Sequence, residues 1–243
     1  MSTVKDEAIK LRQNIDAVYE AGQKAEYNRF WDTLQNYGAK ELYSGTFQKP
    51  SWNDENFKPK YDIYPTTNTF TSGEDPAFIK CKITDLREET LGIKVDWSLC
   101  TNFNVIFMST PIRYADIIDM TNAIYGGTIF YGSKIEYVQK LILPTMPMTF
   151  HNSGLAASAS LLKEIRFEGY FQRNFGLFNK YLTLDSLKSA ILALKDYSGT
   201  SEEYAYTITL SSTYKTMLEA DGATSPNGNG WLEYAADKGW NVA

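Results

Sequence analysis

The chain has 243 residues, enough to bury a sizeable core without a disulfide or metal scaffold. With 24 Lys+Arg against 29 Asp+Glu it carries a formal charge of -5, which argues against wrapping a phosphate backbone and so against a nucleic-acid partner. The only histidine is His151, which removes most metal-ligand sets, histidine triads and histidine proton shuttles; no cofactor or metal is expected and enzymatic readings start poor.

The first residues, MSTVKDEAIK, are charged where a secretory signal would be apolar, and no apolar run reaches the roughly 18 residues of a membrane span. Neither export nor membrane insertion is expected. From there, Val4, Ala8, Leu11, Ile15, Val18, Gly22 and Ala25 alternate steps of four and three, with mostly polar residues between. This heptad seam predicts a helix with one narrow buried stripe, roughly 33 Å long over three heptads at 1.5 Å per residue. So narrow a stripe is stabilised mainly by partners, so residues 1–38 read as a short homo-oligomeric coiled coil. A helix docked on its own domain is the other reading, and the mixed a and d positions leave dimer or trimer open. Tyr27, Phe30, Trp31 and Leu34 widen the stripe before Gly38 offers a stop. Residues 39–76, with Pro50, Pro59, Pro65 and Pro76 among Trp52, Phe57, Tyr61 and Tyr64, read as an irregular, aromatic connector. Cys81 and Cys100 are too few for a disulfide framework and lack CxxC spacing, so both read as thiols in a reducing compartment.

In the following region, 77–243, apolar pairs recur: Ile93/Val95, Ile118/Met120, Leu141/Leu143, Ile165/Phe167 and Ile208/Leu210. The first four fall within the 20–29 residue window of leucine-rich repeats, and the last gap fits one period plus a helix. Ala115, Val138 and Leu162 stand three residues before Ile118, Leu141 and Ile165, an L-x-x-L-x-L outline. The expectation is an α+β chain: a coiled-coil helix, then stacked parallel strands in a leucine-rich-repeat-like solenoid with a helical C-terminal cap. The competing reading is a mixed α/β domain whose strands share a spacing by accident. Between the fourth and fifth pairs, Leu184, Leu187, Ile191, Leu194 and Tyr197 share one helical face, with Thr183 as N-cap and Gly199 as stop. Short helices are expected near 212–220 and 230–238, a turn over 225–230, and a last strand at 240–242.

Some of these stretches resemble a family. Residues 182–199 (LTLDSLKSAILALKDYSG), 207–210 (TITL) and 236–242 (ADKGWNV) look like the end of BspA-like leucine-rich-repeat proteins. Residues 25–32 (AEYNRFWD), 36–38 (NYG) and 57–62 (FKPKYD) resemble the N-terminal half of members encoded by tailed phages of gut Firmicutes. The family's SLKSI-type phrase survives only as Ser160-Leu-Leu-Lys-Glu-Ile165, so its concave binding surface is not carried over. The resemblance implies a virion protein in a fibre, baseplate or collar, self-associating as a trimer, with other virion proteins and a host surface protein or glycan as partners and no catalytic residues.

Candidate chemistry is thin. Ser160 and Lys163 have the S-x-x-K spacing of penicillin-binding enzymes, yet the SDN and KTG partners are absent. Asp116 and Asp119 flank the Ile118/Met120 pair and read first as solvated or capping carboxylates; as a carboxylate pair for glycosidic cleavage they keep a glycan-cleaving virion enzyme as an alternative, beside a bacterial interaction protein. Gly126-Gly127 and the Asn-Gly run at 227–230 read as turns, and His151 as a loop residue.

Overall fold

The computed structural model describes Pro65, residues 83–150 except 93, 99, 105, 108, 109, 127, 128 and 149, and residues 161–243. The seven heptad positions from Val4 to Ala25, the aromatic connector apart from Pro65, and Ile93, Cys81, His151 and Ser160 lie outside the described residues.

After a short helix α1 (Glu88–Leu91), three strands form one parallel sheet: β1 (Tyr114–Asp119), β2 (Tyr137–Ile142) and β3 (Glu164–Glu168), in the order β1-β2-β3. Each strand buries apolar side chains between more exposed neighbours: Ala115 and Ile118 in β1, Val138 and Leu141 in β2, and Ile165 in β3. A second parallel sheet, in the order β4-β5-β6, is built from β4 (Phe175–Leu177), β5 (Tyr206–Leu210) and β6 (Trp240–Val242). Helices α2 (Leu184–Leu192), α3 (Ser212–Ala220) and α4 (Trp231–Asp237) supply the crossovers. One continuous apolar core serves both sheets. The passage between them is aromatic: Phe171 lies 5.1 Å from Phe167, 5.5 Å from Phe150, and stacks on Phe175 at 3.8 Å.

This corrects the expected leucine-rich-repeat solenoid: among the described residues the fold is mixed α/β with two small parallel sheets. Three physical differences account for it. First, the apolar pairs are not equivalent rungs: β1 and β2 run in step, with Ile118 opposite Leu141, but Val138 faces Ile165 and Leu141 faces Phe167. A three-residue step in β2 thus opposes a two-residue step in β3, an irregularity of the bulge type. Second, the ladder stops at β3. The next segment to reach that edge is helical, and two of its side chains take the place of a strand: the Oγ of Ser186 accepts from the Ile165 N–H at 3.0 Å, and the Oγ of Ser189 from the Phe167 N–H at 2.9 Å. Third, Ile208 and Leu210 pair with Phe175 and Leu177, a strand that the spacing did not reveal, and belong to the other sheet.

Helix α2 starts where Thr183 Oγ1 accepts from the Ser186 N–H, and it buries Ser186, Leu187, Ala190 and Ile191. Beyond its far end, Lys238 Nζ donates to the carbonyls of Leu192 (2.9 Å) and Leu194 (2.7 Å), a cation where the helix dipole favours one. Burial pulls the Lys238 pKa below its usual value, which Asp196 offsets in part. The turn into β6 needs Gly239: its φ is +78°, and a Cβ there would sit 3.1 Å from the Ser198 nitrogen and the Tyr197 carbonyl carbon.

Candidate functional site

The two ends of the first sheet differ in chemistry. Arg113, Glu136 and Lys163 each stand immediately before a strand, and backbone bonds from Glu136 N to Arg113 O and from Lys163 N to Glu136 O, both 2.8 Å, place them one above another. Their side chains consequently form an alternating ladder of charge. Arg113 donates through Nε and Nη2 to Glu136 Oε1, and Lys163 through Nζ to Oε2, each at 2.6 Å. The Lys163 ammonium, joined by the Arg113 guanidinium, holds the Glu136 carboxyl below its usual range. The Tyr114 ring extends the row, with the Arg87 and Arg113 guanidinium carbons 4.9 and 5.4 Å from its centroid.

At the opposite end, β1 and β3 close on Asp119 and on Glu168, which pairs with Lys140 at 2.6 Å, before the three strands give way to loops. Asn122 Nδ2 donates to Ser98 O (3.0 Å), Thr145 Oγ1 to Thr121 O (3.2 Å) and Gln172 Nε2 to Thr145 O (3.1 Å), so successive loops are tied together by amides and hydroxyls. On these tied loops the side chains of Ile124, Tyr125, Met146 and Tyr170 are 62%, 60%, 68% and 59% exposed. Large apolar groups held out on braced loops at the ends of adjacent strands have the character of a contact surface.

The other sequence candidates have structural positions. Asp116 Oδ2 accepts from the Glu88 N–H at 2.6 Å, beside a cleft of about 170 Å³ lined by Leu86, Lys94, Val95, Trp97 and Ile117. Asp119 Oδ1 accepts from both the N–H and the hydroxyl of Thr121, at 2.8 and 2.5 Å. Asp116 therefore holds the first turn of α1, and Asp119 braces the loop that follows β1. Lys163, the described half of the Ser160/Lys163 pair, is engaged with Glu136. Of the repeat residues, Ile118, Met120, Leu141, Leu143, Ile165, Ile208 and Leu210 are buried, and Val95 and Phe167 pack against that core. Cys100 is a buried thiol whose Sγ donates to the Asn102 carbonyl.

Two features escaped the sequence reading. The charge ladder has a sequence signal, Arg113, Glu136 and Lys163 each preceding an apolar segment, which apolar periodicity alone does not reveal. The exposed Tyr125, Met146 and Tyr170 sit beside Gly or Pro, where a turn brings an apolar residue to the surface. In the second sheet Tyr206 donates to Glu202 Oε1 at 2.7 Å and accepts from Arg173, and the bond to Glu202 raises its phenol pKa.

Among the described residues no group of three His, Cys, Asp or Glu could hold a metal ion, and no helix is long and apolar enough to cross a membrane. Compared with protein-family models, curated proteins and solved structures, the chain matches none.

Proposed function

We propose that this chain is a non-enzymatic structural and adhesive protein of a tailed-phage particle, in a fibre, baseplate or collar position. It self-associates through residues 1–38 and presents the domain after residue 76 to a protein partner or a host surface. The observation that carries the contact role is the exposure of Ile124, Tyr125, Met146 and Tyr170 on loops at the ends of three adjacent strands. Aromatic and Met side chains dominate contact energetics because they bury much area per residue, and several weak contacts sum when copies are displayed together. The heptad of Val4 to Ala25 supports the self-association, and the resemblance of residues 25–62 to phage-encoded proteins supports the particle.

The test is light scattering on the full chain and on a variant carrying Leu11→Glu and Ile15→Glu. A trimer of the 27.6 kDa chain, about 83 kDa, that falls to monomer in the variant is the expected result. A wild-type monomer would remove the multivalent reading. Purified particles probed by mass spectrometry decide the location, and a particle lacking the chain would refute it.

A further inference from the structure

The sequence contains two Asn-Gly steps, Asn227-Gly228 and Asn229-Gly230, both in the turn before α4 and with all four residues exposed. A glycine after asparagine offers no side chain to hinder attack by its own nitrogen on the asparagine amide carbon. The two steps differ in how that nitrogen is held. The Gly228 N–H is committed to a backbone carbonyl, Ser225 O, at 2.9 Å. The Gly230 N–H instead meets a carboxylate, Glu233 Oε2, at 3.3 Å. That bond is longer, and its acceptor is a group able to take the proton.

We propose that Asn229 is a self-modification site, deamidating in the folded protein ahead of Asn227. The Gly230 nitrogen attacks the Asn229 Cγ and gives its proton to Glu233; the new N–Cγ bond forms as the Cγ–Nδ2 bond breaks. Glu233 returns that proton to the departing amide nitrogen, which leaves as ammonia, and water opens the resulting cyclic imide to aspartate or isoaspartate, with no oxidant or reductant required. The change alters the turn. Asn227 Nδ2 and Asn229 Nδ2 both donate to Asp237 Oδ2, at 2.8 and 2.7 Å, so one carboxylate clamps the turn to α4. Replacing the Asn229 amide with a carboxylate removes a donor and sets two like charges against each other. The modified turn cannot remake the clamp, so α4 loses the tie that holds its last residue, Asp237, to the turn before it.

The experiment follows conversion at each asparagine by peptide mass spectrometry on the full chain at neutral pH, native and in urea. Because Gly follows both, urea sets their intrinsic ratio. In the native chain the ratio of Asn229 to Asn227 conversion should rise about fivefold over that reference, the factor that one ordinary hydrogen bond is worth. Glu233→Gln should erase the excess while leaving Asn227 unchanged, and Asn229→Asp should speed amide exchange across residues 231–237. A native ratio equal to or below that in urea, or no conversion of Asn229 in the folded chain, would overturn the proposal.

Discussion

Removing the two hydroxyls that finish the first sheet isolates the device that stops it. In Ser186→Ala the Ile165 N–H loses its acceptor at 3.0 Å, and Ile165 is only 2% exposed, so water does not easily replace it. Leaving a buried donor unsatisfied costs about 1–3 kcal/mol. The same hydroxyl also lies 2.9 Å from Thr183 Oγ1, at the N-cap of α2, which places the expected loss in the upper half of that range. In Ser189→Ala the orphaned Phe167 N–H is only partly buried, and the loss should be about 0.5–1.5 kcal/mol. Alanine returns about 0.5 kcal/mol at each site through helix propensity. Net destabilisation should therefore be about 1.5–2.5 kcal/mol for the first variant and at most about 1 for the second. Urea unfolding should show a lower midpoint with an unchanged slope, and amide exchange should accelerate selectively at Ile165 and Phe167. Ser189→Thr, which keeps a hydroxyl, should restore most of the second loss. If both alanine variants unfold at the wild-type midpoint with unchanged exchange at those amides, the serines do not terminate the sheet.

Tyr214→Phe removes a buried phenol that donates to Asn179 Oδ1 and accepts from the Leu182 N–H at 3.1 Å; unfolding in urea should report a loss of about 2–4 kcal/mol for the two orphaned groups. Gly239→Ala places a Cβ 3.1 Å from backbone atoms at φ +78°, and thermal unfolding should show a loss of about 2 kcal/mol, whereas alanine at the open, φ-negative Gly222 should cost little. Acid should destabilise the fold with a definite sign. Glu136, held by Lys163, Asp196, held by the Ser198 hydroxyl, and Asp221, held by Lys188, all titrate below their usual 4.5, 3.8 and 3.8. Unfolding therefore takes up protons, so their contribution is complete above those values and disappears as pH falls through the lower folded ones. The urea midpoint should be level from neutrality to about pH 5 and fall below about pH 4, and Glu136→Gln should make that fall shallower.

How far the sequence could be read depended on the range of the interactions. Helix α2 was legible because its evidence is local: Thr183 at the cap and Leu187 and Ile191 on one face suffice. The strands at Ile118, Leu141 and Ile165 were legible as apolar segments, since a buried face leaves its mark in a few adjacent residues. Their register was not, because the irregularity that seats Phe167 opposite Leu141 depends on how two strands meet. Strand β4 left almost no trace: Phe175-Gly-Leu177 is three residues long and exists because Ile208 and Leu210 lie alongside. The exposed residues at the strand ends were invisible for a related reason, since Tyr125 and the buried Tyr214 are the same residue type.

The way the first sheet is closed limits the kind of contact it can make. A sheet edge recruits partners through unpaired backbone groups, and both edges here are covered. On the β1 side Arg113 N donates to Thr84 O at 2.7 Å and Leu86 N to Tyr114 O at 2.8 Å, while on the β3 side Ser186 and Ser189 take the N–H groups. Adding a strand would first have to displace these bonds, so a partner of the proposed kind would meet side chains. Of the two strand ends, one already satisfies its charges internally through Arg113, Glu136 and Lys163. The other displays Ile124, Tyr125, Met146 and Tyr170 on tied loops, beside the exposed Lys140–Glu168 pair that already faces water, so burial of apolar area on contact displaces fewer paired charges than at the first end. Substituting Tyr125 and Tyr170 together by Ser should thus weaken attachment without lowering the urea midpoint, whereas Glu136→Gln should lower the midpoint and leave attachment intact. The reverse pattern would place the contact at the charged end.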